Sequence, residues 1–192
     1  MVGVDEVRNF IAAIAAVVAA IGILGGLVQY IRSERWKRAE FVAKLIAEFE
    51  ADHRIDCALK MLESRKRKVN LFPEAEERYE KWPEVDDELV ERSLRIVRDG
   101  DSDFGANELR VRDCFDHLFK QLDRFDIFVQ RGLVTADAFQ PYLAYWLDIL
   151  GDPQSRQKPR ELLRVMWEYV DEYGYSDMQS LFKRFGYNIA RT

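Results

Sequence analysis

ELRVRDCFDHLFKQLDRFDIFVQ, residues 108–130, is the stretch that decides the fold of this chain. Its apolar residues recur every three or four positions, which places them on one face of an α-helix. They are Val111, Phe115, Leu118, Leu122, Phe125 and Val129, with Phe119 and Phe128 beside them. The stretch therefore predicts a long amphipathic helix at the core of a helical bundle.

Helical spacing recurs on both sides of this stretch, and no segment alternates convincingly as a strand. Pro73, Pro83, a loop at 100–105, Gly132 and Gly151 separate the predicted helices. An all-α fold follows, with helices expected at 36–62, 85–98, 135–150, 160–173 and 176–185. Thr135 should cap the helix that follows it, and Pro141 should distort the first turns of that helix.

A stripe of aromatic residues falls on faces of these helices that should be buried. We expect it to form core rather than a ligand-binding box. Its members are Phe125, Phe128, Tyr142, Tyr145, Trp146 and Trp167.

The N-terminal region contains an uncharged stretch from Asn9 to Ile31, NFIAAIAAVVAAIGILGGLVQYI. At the helical rise it would extend about 34 Å, enough to cross a hydrocarbon core of about 30 Å. A cleaved secretory signal is the alternative, but acidic residues precede the stretch and the helical pattern continues beyond it. We expect a transmembrane anchor over 1–31, a basic juxtamembrane helix over 32–70, and a helical bundle over 71–192 that packs with it.

Basic residues follow the uncharged stretch at once: Arg32, Arg35, Lys37 and Arg38. The positive-inside bias then places the C-terminal domain in the cytoplasm, with the chain crossing the bacterial inner membrane once. These residues should contact anionic lipid headgroups. The basic run 65–68 could meet lipid or RNA phosphates, but it lacks interleaved aromatics and an acidic block follows it. DNA is not an expected partner.

Small residues in the uncharged stretch predict self-association. Gly22 and Gly26 form a Gly-x-x-x-Gly pair, which allows two helices to approach closely. The small face extends toward the N-terminus through Ala12, Ala15, Ala16 and Ala19. A homo-oligomer is expected, although an alanine-rich segment without any such role is the alternative. A pore is not evident, because Asn9 and Gln29 are the only strongly polar residues in the stretch.

The 192 residues include only two cysteines and two histidines, and the formal net charge is −5. Cys57 and Cys114 are far apart in sequence and predict buried thiols in a reducing compartment. Two histidines are too few for a multi-histidine metal site. Without a phosphate-binding glycine loop, a nucleophile elbow or a zinc pattern, we expect no cofactor and no metal.

One motif could carry chemistry. Arg112 and His117 are separated by four residues, and Asp113 directly follows the arginine. This resembles the higher eukaryotes and prokaryotes nucleotide-binding (HEPN) superfamily of helical bundles, and the resemblance implies a metal-independent ribonuclease site completed by two protomers. A histidine can move the 2′-hydroxyl proton and an arginine can stabilise phosphorane charge. The alternative is two ordinary surface pairs, Arg112 with Asp116 and His117 with Asp113.

The anchor, the charged helix and LFKQLDRFDIFVQRGLVTADAFQPYLAYW, residues 118–146, together resemble a bacterial family of membrane-anchored helical domains of unknown function. The resemblance covers about residues 10 to 170. In architecture the chain is also similar to the HEPN-like transmembrane accessory proteins of RNA-targeting type VI CRISPR systems, which implies a ring-shaped pore. It departs from them in its net acidity and its alanine-rich span.

Three functions follow from these expectations. The first is an oligomeric membrane accessory or effector of antiviral defence that forms a pore, with a defence-system protein or RNA as partner. The second is a non-enzymatic membrane scaffold that recruits a partner. The third is a tethered ribonuclease that uses Arg112 and His117.

Overall fold

The computed structural model describes residues 3–76, 81–97, 104–152 and 156–187, and the side chains of helix α1 from residue 21 onward. It is 73% helical, with seven α-helices in the described residues, which confirms the all-α prediction. The elements are α1 (Val4–Ala51), α2 (His53–Glu63), β1 (Lys66–Lys68), β2 (Glu84–Asp86), α3 (Asp87–Leu94), α4 (Ala106–Gln130), α5 (Gln140–Gly151), α6 (Arg160–Glu172) and α7 (Ser176–Arg184).

The chain forms two compact units, residues 1–41 and residues 42–192. The first contains the N-terminal part of α1. Between residues 21 and 31 its large apolar side chains are exposed. No helix in the described residues is both long and apolar enough to cross a membrane. The side chains of Ala12, Ala15, Ala16 and Ala19 lie outside the described residues.

The second unit is built around α4, as the amphipathic pattern predicts. Helices α2, α3 and α7 pack against α4, and α6 packs against α3. Phe115, Leu118 and Phe119 are fully buried along this helix, and the ring of Phe125 stacks on Phe139 with 4.7 Å between centroids. Burial of these side chains supplies the main driving force for folding of this unit.

The helix predicted over 36–62 is wrong, because the structure divides it at Asp52. The backbone of Asp52 is extended, with φ −74° and ψ 115°, and its carboxylate accepts hydrogen bonds from the backbone N–H groups of Arg54 at 2.8 Å and Ile55 at 3.4 Å. Those bonds begin a new helix. Apolar spacing continues across the break, so periodicity alone does not reveal it.

Two short strands were also not predicted. β1 and β2 pair antiparallel, with Arg67 opposite Val85. Both strands are three residues long, too short to show alternation. The basic run is partly neutralised here, since Lys66 Nζ lies 2.8 Å from Glu84 and Arg67 Nη1 lies 3.0 Å from Glu63.

A buried lysine joins residues that flank the two strands to the segment that precedes α6. The side chain of Lys158 is 1% exposed, and its Nζ donates hydrogen bonds to Asp87 Oδ1 at 2.5 Å and to the Ser64 carbonyl at 2.8 Å. Burial lowers the pKa of Lys158, and the hydrogen bond with Asp87 opposes that shift. A desolvated ion pair thereby links the beginning of α3 to the segment before α6.

The region after α4 differs from the prediction in two details. Gly132, with φ +69°, ends α4 as expected. Thr135 precedes a 3₁₀ turn at Ala136–Ala138 and makes no side-chain capping bond, and α5 begins only at Gln140. Pro141 therefore lies in the first turn of α5, where no helical N–H is required, and it does not distort the helix.

The aromatic stripe is only partly core. Phe125 is buried, but Tyr142 and Tyr145 are each 47% exposed. Phe128, Trp146 and Trp167 are half-buried. The prediction fails at the two tyrosines because they lie on the side of α5 that faces solvent.

Candidate functional site

Arg112 lies on α4 beside the C-terminal end of α3. Its guanidinium donates hydrogen bonds to the carbonyl oxygens of Ser93 at 3.2 Å and Arg95 at 3.3 Å. These carbonyls have no partner within α3, and the helix dipole makes that end favourable for a cation. Arg112 thus satisfies a helix end from a neighbouring helix.

Aromatic rings surround the same guanidinium. Its Cζ lies 5.1 Å from the ring centroid of Phe104, 4.7 Å from that of Tyr169 and 4.9 Å from that of Tyr173. The hydroxyl of Tyr173 is also hydrogen-bonded to Arg112. Cation–π contacts of this kind stabilise a planar guanidinium in a fixed position. Arg112 therefore ties α4 to both α3 and α6.

Asp116, one turn along α4, accepts hydrogen bonds from Tyr169 Oη at 2.6 Å and Tyr175 Oη at 3.1 Å. Burial, reinforced by this carboxylate, raises the pKa of both phenols. The surface-pair interpretation assigned Asp116 to Arg112. In the described residues the hydrogen bonds of Asp116 go to these tyrosines.

His117 lies between two carboxylates. Its Nδ1 is 3.6 Å from Asp52 Oδ2, and its Nε2 is 3.9 Å from Asp113 Oδ1. Arg54 lies close to the same two carboxylates, 3.7 Å from Asp52 and 3.8 Å from Asp113. The i,i+4 neighbour expected for His117 is therefore present, and the imidazole belongs to a mixed-charge group between α2 and α4.

The structure does not bring Arg112 and His117 to a common point within the chain. Arg112 contacts α3, α6 and Phe104, whereas His117 contacts the beginning of α2. Five residues along a helix turn the side-chain direction by about 140°, which accounts for the separation. Within the described residues, the two groups therefore face different neighbours.

The two cysteines meet between α2 and α4. Cys57 of α2 and Cys114 of α4 are both buried and free. A hydrogen bond between the thiols and burial raise the pKa of Cys114. The Cys57 thiol also donates to the Asn70 carbonyl oxygen at 3.4 Å, and the same oxygen lies 2.7 Å from His53 Nε2.

Both histidines and both cysteines of the chain therefore lie where α2 packs on α4. Asp56 joins this group, because ligand atoms of His53, Asp56 and Cys57 all lie within 4.8 Å of one another. The α2–α4 polar cluster denotes the set formed by Asp52, His53, Arg54, Asp56, Cys57, Asn70, Asp113, Cys114 and His117. Sequence reasoning missed this cluster, although the spacing of His53, Asp56 and Cys57 already put them on one helix face.

The residues predicted to contact lipid are exposed on α1. They are Arg32, Arg35, Lys37 and Arg38. Lys37 Nζ lies 3.0 Å from Glu34. Gly22 and Gly26 are exposed as well, and a Cβ built on either would meet no atom within 4 Å. Within the described part of α1, the small face is therefore open at these two positions.

No protein-family model, curated protein or solved structure matches the chain.

Proposed function

We propose that this chain is a membrane-anchored protein that self-associates through α1 and presents the helical unit 42–192 in the cytoplasm as a non-enzymatic binding module. One observation carries the proposal. Seven large apolar side chains between residues 21 and 31 are 43–72% exposed, and no charged residue occurs from 9 to 31. An apolar surface of this extent requires lipid or another copy of the helix to cover it.

The residues that flank this surface support a membrane location. Tyr30 and Trp36 are exposed, and amphipathic rings of this type favour the interface between lipid and water. Arg32, Arg35 and Arg38 are exposed between and beside them. Together they fit the headgroup layer on the cytoplasmic side.

Glycines supply the argument for self-association. Gly22 and Gly26 lie one turn apart on one side of α1, and among the described residues no atom lies within 4 Å of a Cβ built on either. Small residues at this spacing let two helix backbones approach closely in lipid. Because a Cβ at either position has open space among the described residues, the effect of a substitution on assembly would report the contact between copies.

Membrane extraction and oligomer order test the proposal. The full-length chain should resist alkaline carbonate, dissolve in mild detergent and run as an oligomer by light scattering. Gly22→Leu with Gly26→Leu should reduce the oligomer order. Leu24→Ala is the control, because residue 24 lies about 160° around the helix from both Gly22 and Gly26, so the change in side-chain size is on the opposite side. A chain that is extracted as a soluble monomer would refute the proposal. The same oligomer order in all variants would refute a contact between copies at Gly22 and Gly26.

The antiviral-defence hypothesis adds a channel to the same anchored oligomer. Expression with its trigger should then admit a membrane-impermeant dye and depolarise the cell, and Gly22→Leu with Gly26→Leu should suppress both effects. An assembled oligomer that never changes permeability is instead a scaffold. The two functions differ in this readout while sharing the anchor.

The ribonuclease hypothesis gains no support from contacts within the chain, because three aromatic rings and two carbonyl groups already hold Arg112. Its test is RNA cleavage by the wild-type chain and by His117→Asn, which keeps a polar side chain between the two carboxylates. Cleavage that is lost in His117→Asn, with the fold intact, would support a composite site between copies. Intact RNA with both proteins would eliminate it.

A further inference from the structure

We propose that the α2–α4 polar cluster contains a binding site for a thiophilic divalent cation such as Zn²⁺, formed by His53, Asp56 and Cys57. These three residues offer a nitrogen, a carboxylate oxygen and a sulfur within 4.8 Å of one another. Imidazole, carboxylate and thiolate are the ligand types that zinc takes in proteins. The site is separate from the anchor and from the proposed function.

The distances suit a tetrahedral ion. Cys57 Sγ lies 3.6 Å from His53 Nε2. Bonds of about 2.1 Å from zinc to nitrogen and about 2.3 Å from zinc to sulfur, at a tetrahedral angle, separate those two atoms by about 3.6 Å. His53 and Cys57 are four residues apart on α2, and Asp56 lies beside Cys57 on the same side. The helix therefore presents the three ligands together without rearrangement of the backbone.

The three side chains differ in access to solvent. Cys57 is buried, Asp56 is half-buried and His53 is exposed. An ion could enter past His53 and bind a thiolate in a dry interior, where the attraction between cation and thiolate is strong. A water molecule would complete the tetrahedron on the side of His53.

Hydrogen bonds at the site show what the ion would replace. The Asn70 carbonyl oxygen accepts from both His53 Nε2 and the Cys57 thiol, at 2.7 Å and 3.4 Å. On binding, the thiol proton leaves to solvent and the imidazole proton moves from Nε2 to Nδ1, so one proton is released per ion. The thiolate and the Asp56 carboxylate then balance the two positive charges. The Oδ1 atom of Asn70 is also buried, and it has no hydrogen-bond partner among the described residues.

Lys60 competes with the ion for the carboxylate of Asp56. Its Nζ lies 2.6 Å from Asp56 Oδ2, and its side chain is 36% exposed. An i,i+4 pair at this exposure changes an equilibrium by less than about threefold. Lys60 can turn to solvent when the ion binds, so the competition is weak. Lys60→Gln should tighten binding slightly.

Zinc and cobalt titrations test the site on the full-length chain in detergent, with the thiols reduced. We expect one Zn²⁺ per chain by native mass spectrometry, and Co²⁺ should produce a thiolate-to-metal absorption band in the near ultraviolet. Cys57→Ser and His53→Ala should each weaken binding at least about tenfold, and Cys57→Ser should abolish the absorption band. Circular dichroism of the metal-free variants checks that each folds.

Cys114→Ser is the matched control. It removes the second buried thiol of the cluster and leaves the three ligands in place, so stoichiometry and absorption should persist. A wild-type chain that binds no ion would overturn the proposal. Loss of binding in Cys114→Ser to the same degree as in Cys57→Ser would overturn it too, since the two thiols would then be the ligands.

Discussion

Arg112 holds three helices together through one guanidinium. It reaches the carbonyl oxygens of Ser93 and Arg95 at the end of α3, and it lies against the rings of Tyr169 and Tyr173 near the end of α6. The planar group makes hydrogen bonds in its own plane and ring contacts on its faces at the same time. Lysine has the same charge but cannot do both.

Replacement of Arg112 by lysine should therefore destabilise the helical unit. We expect a loss of about 1–3 kcal/mol in the free energy of unfolding, from hydrogen bonds that are not replaced and weaker ring contacts. Urea unfolding followed by circular dichroism measures it. Arg164→Lys is the control, since Arg164 pairs with Glu161 and Glu168 at the surface and its replacement should change little. Equal losses for the two variants would show that the ring contacts and hydrogen bonds of Arg112 do not contribute to stability.

Among the described residues, Lys158 and Asp87 form the most deeply buried ion pair, with 2.5 Å between Nζ and Oδ1. Lys158→Met alone should lower the free energy of unfolding by about 3–5 kcal/mol, because it leaves the Asp87 carboxylate desolvated and unpaired. Lys158→Met combined with Asp87→Leu should recover most of that loss. A double-mutant cycle by urea unfolding measures the coupling. If the free-energy changes of the two single variants simply added in the double variant, Lys158 and Asp87 would not be coupled energetically.

Helix α2 begins where apolar periodicity gives no sign of a boundary. Asp52→Ala should lower the free energy of unfolding by about 0.5–2 kcal/mol, because two backbone N–H groups at the start of α2 lose their acceptor. Asp52→Ser keeps an acceptor at that position and removes the charge beside His117. It should recover most of the loss if capping dominates. A serine variant as unstable as the alanine variant would instead assign the effect to the charge near His117 and Arg54.

Periodicity was sufficient to predict α4 and insufficient for the short elements. α4 is found at Ala106–Gln130 against a prediction of 108–130, since six apolar residues mark one face of it. The three-residue strands β1 and β2 bury only Val85 between them, so they leave no pattern to read. Their pairing depends on a partner that the local sequence does not contain.

The candidate site depended even less on local sequence. Two histidines and two cysteines were too few to suggest a metal site, and their scarcity led us to expect none. Position in the fold changes that argument, because packing of α2 on α4 brings Cys57 close to Cys114 and Asp52 close to His117. The angle at which two helices pack follows from many side chains together, so no short motif could have revealed the cluster.

The whole helical unit should lose stability in alkali. Burial raises the pKa of Tyr169 and Tyr175, and burial with the Asp148 hydrogen bond raises the pKa of Tyr187 to about 12. The folded chain thus keeps protons that the unfolded chain releases near pH 10. The contribution of these three tyrosines to the free energy of unfolding is complete below pH 10. It is lost as the pH rises through their pKa values in the folded chain.

Thermal unfolding as a function of pH checks this expectation. The melting temperature should fall as the pH rises above about 10, and phenolate absorbance of the folded chain should show late-titrating tyrosines. Tyr187→Phe should reduce the dependence on pH between about 10 and 12, since a phenyl ring has no proton to lose. A melting temperature that stays constant over this range would contradict the assignment.

The enclosed amine of Lys158 gives the molecule an internal reporter of opening. Acylating reagents modify lysines only when the neutral amine can be reached, and here Ser64 and Asp87 surround it. Under native conditions its acylation should be much slower than that of Lys37, whose side chain is 67% exposed. The rate at which mass spectrometry detects the modified peptide would then measure how often Lys158 separates from Ser64 and Asp87.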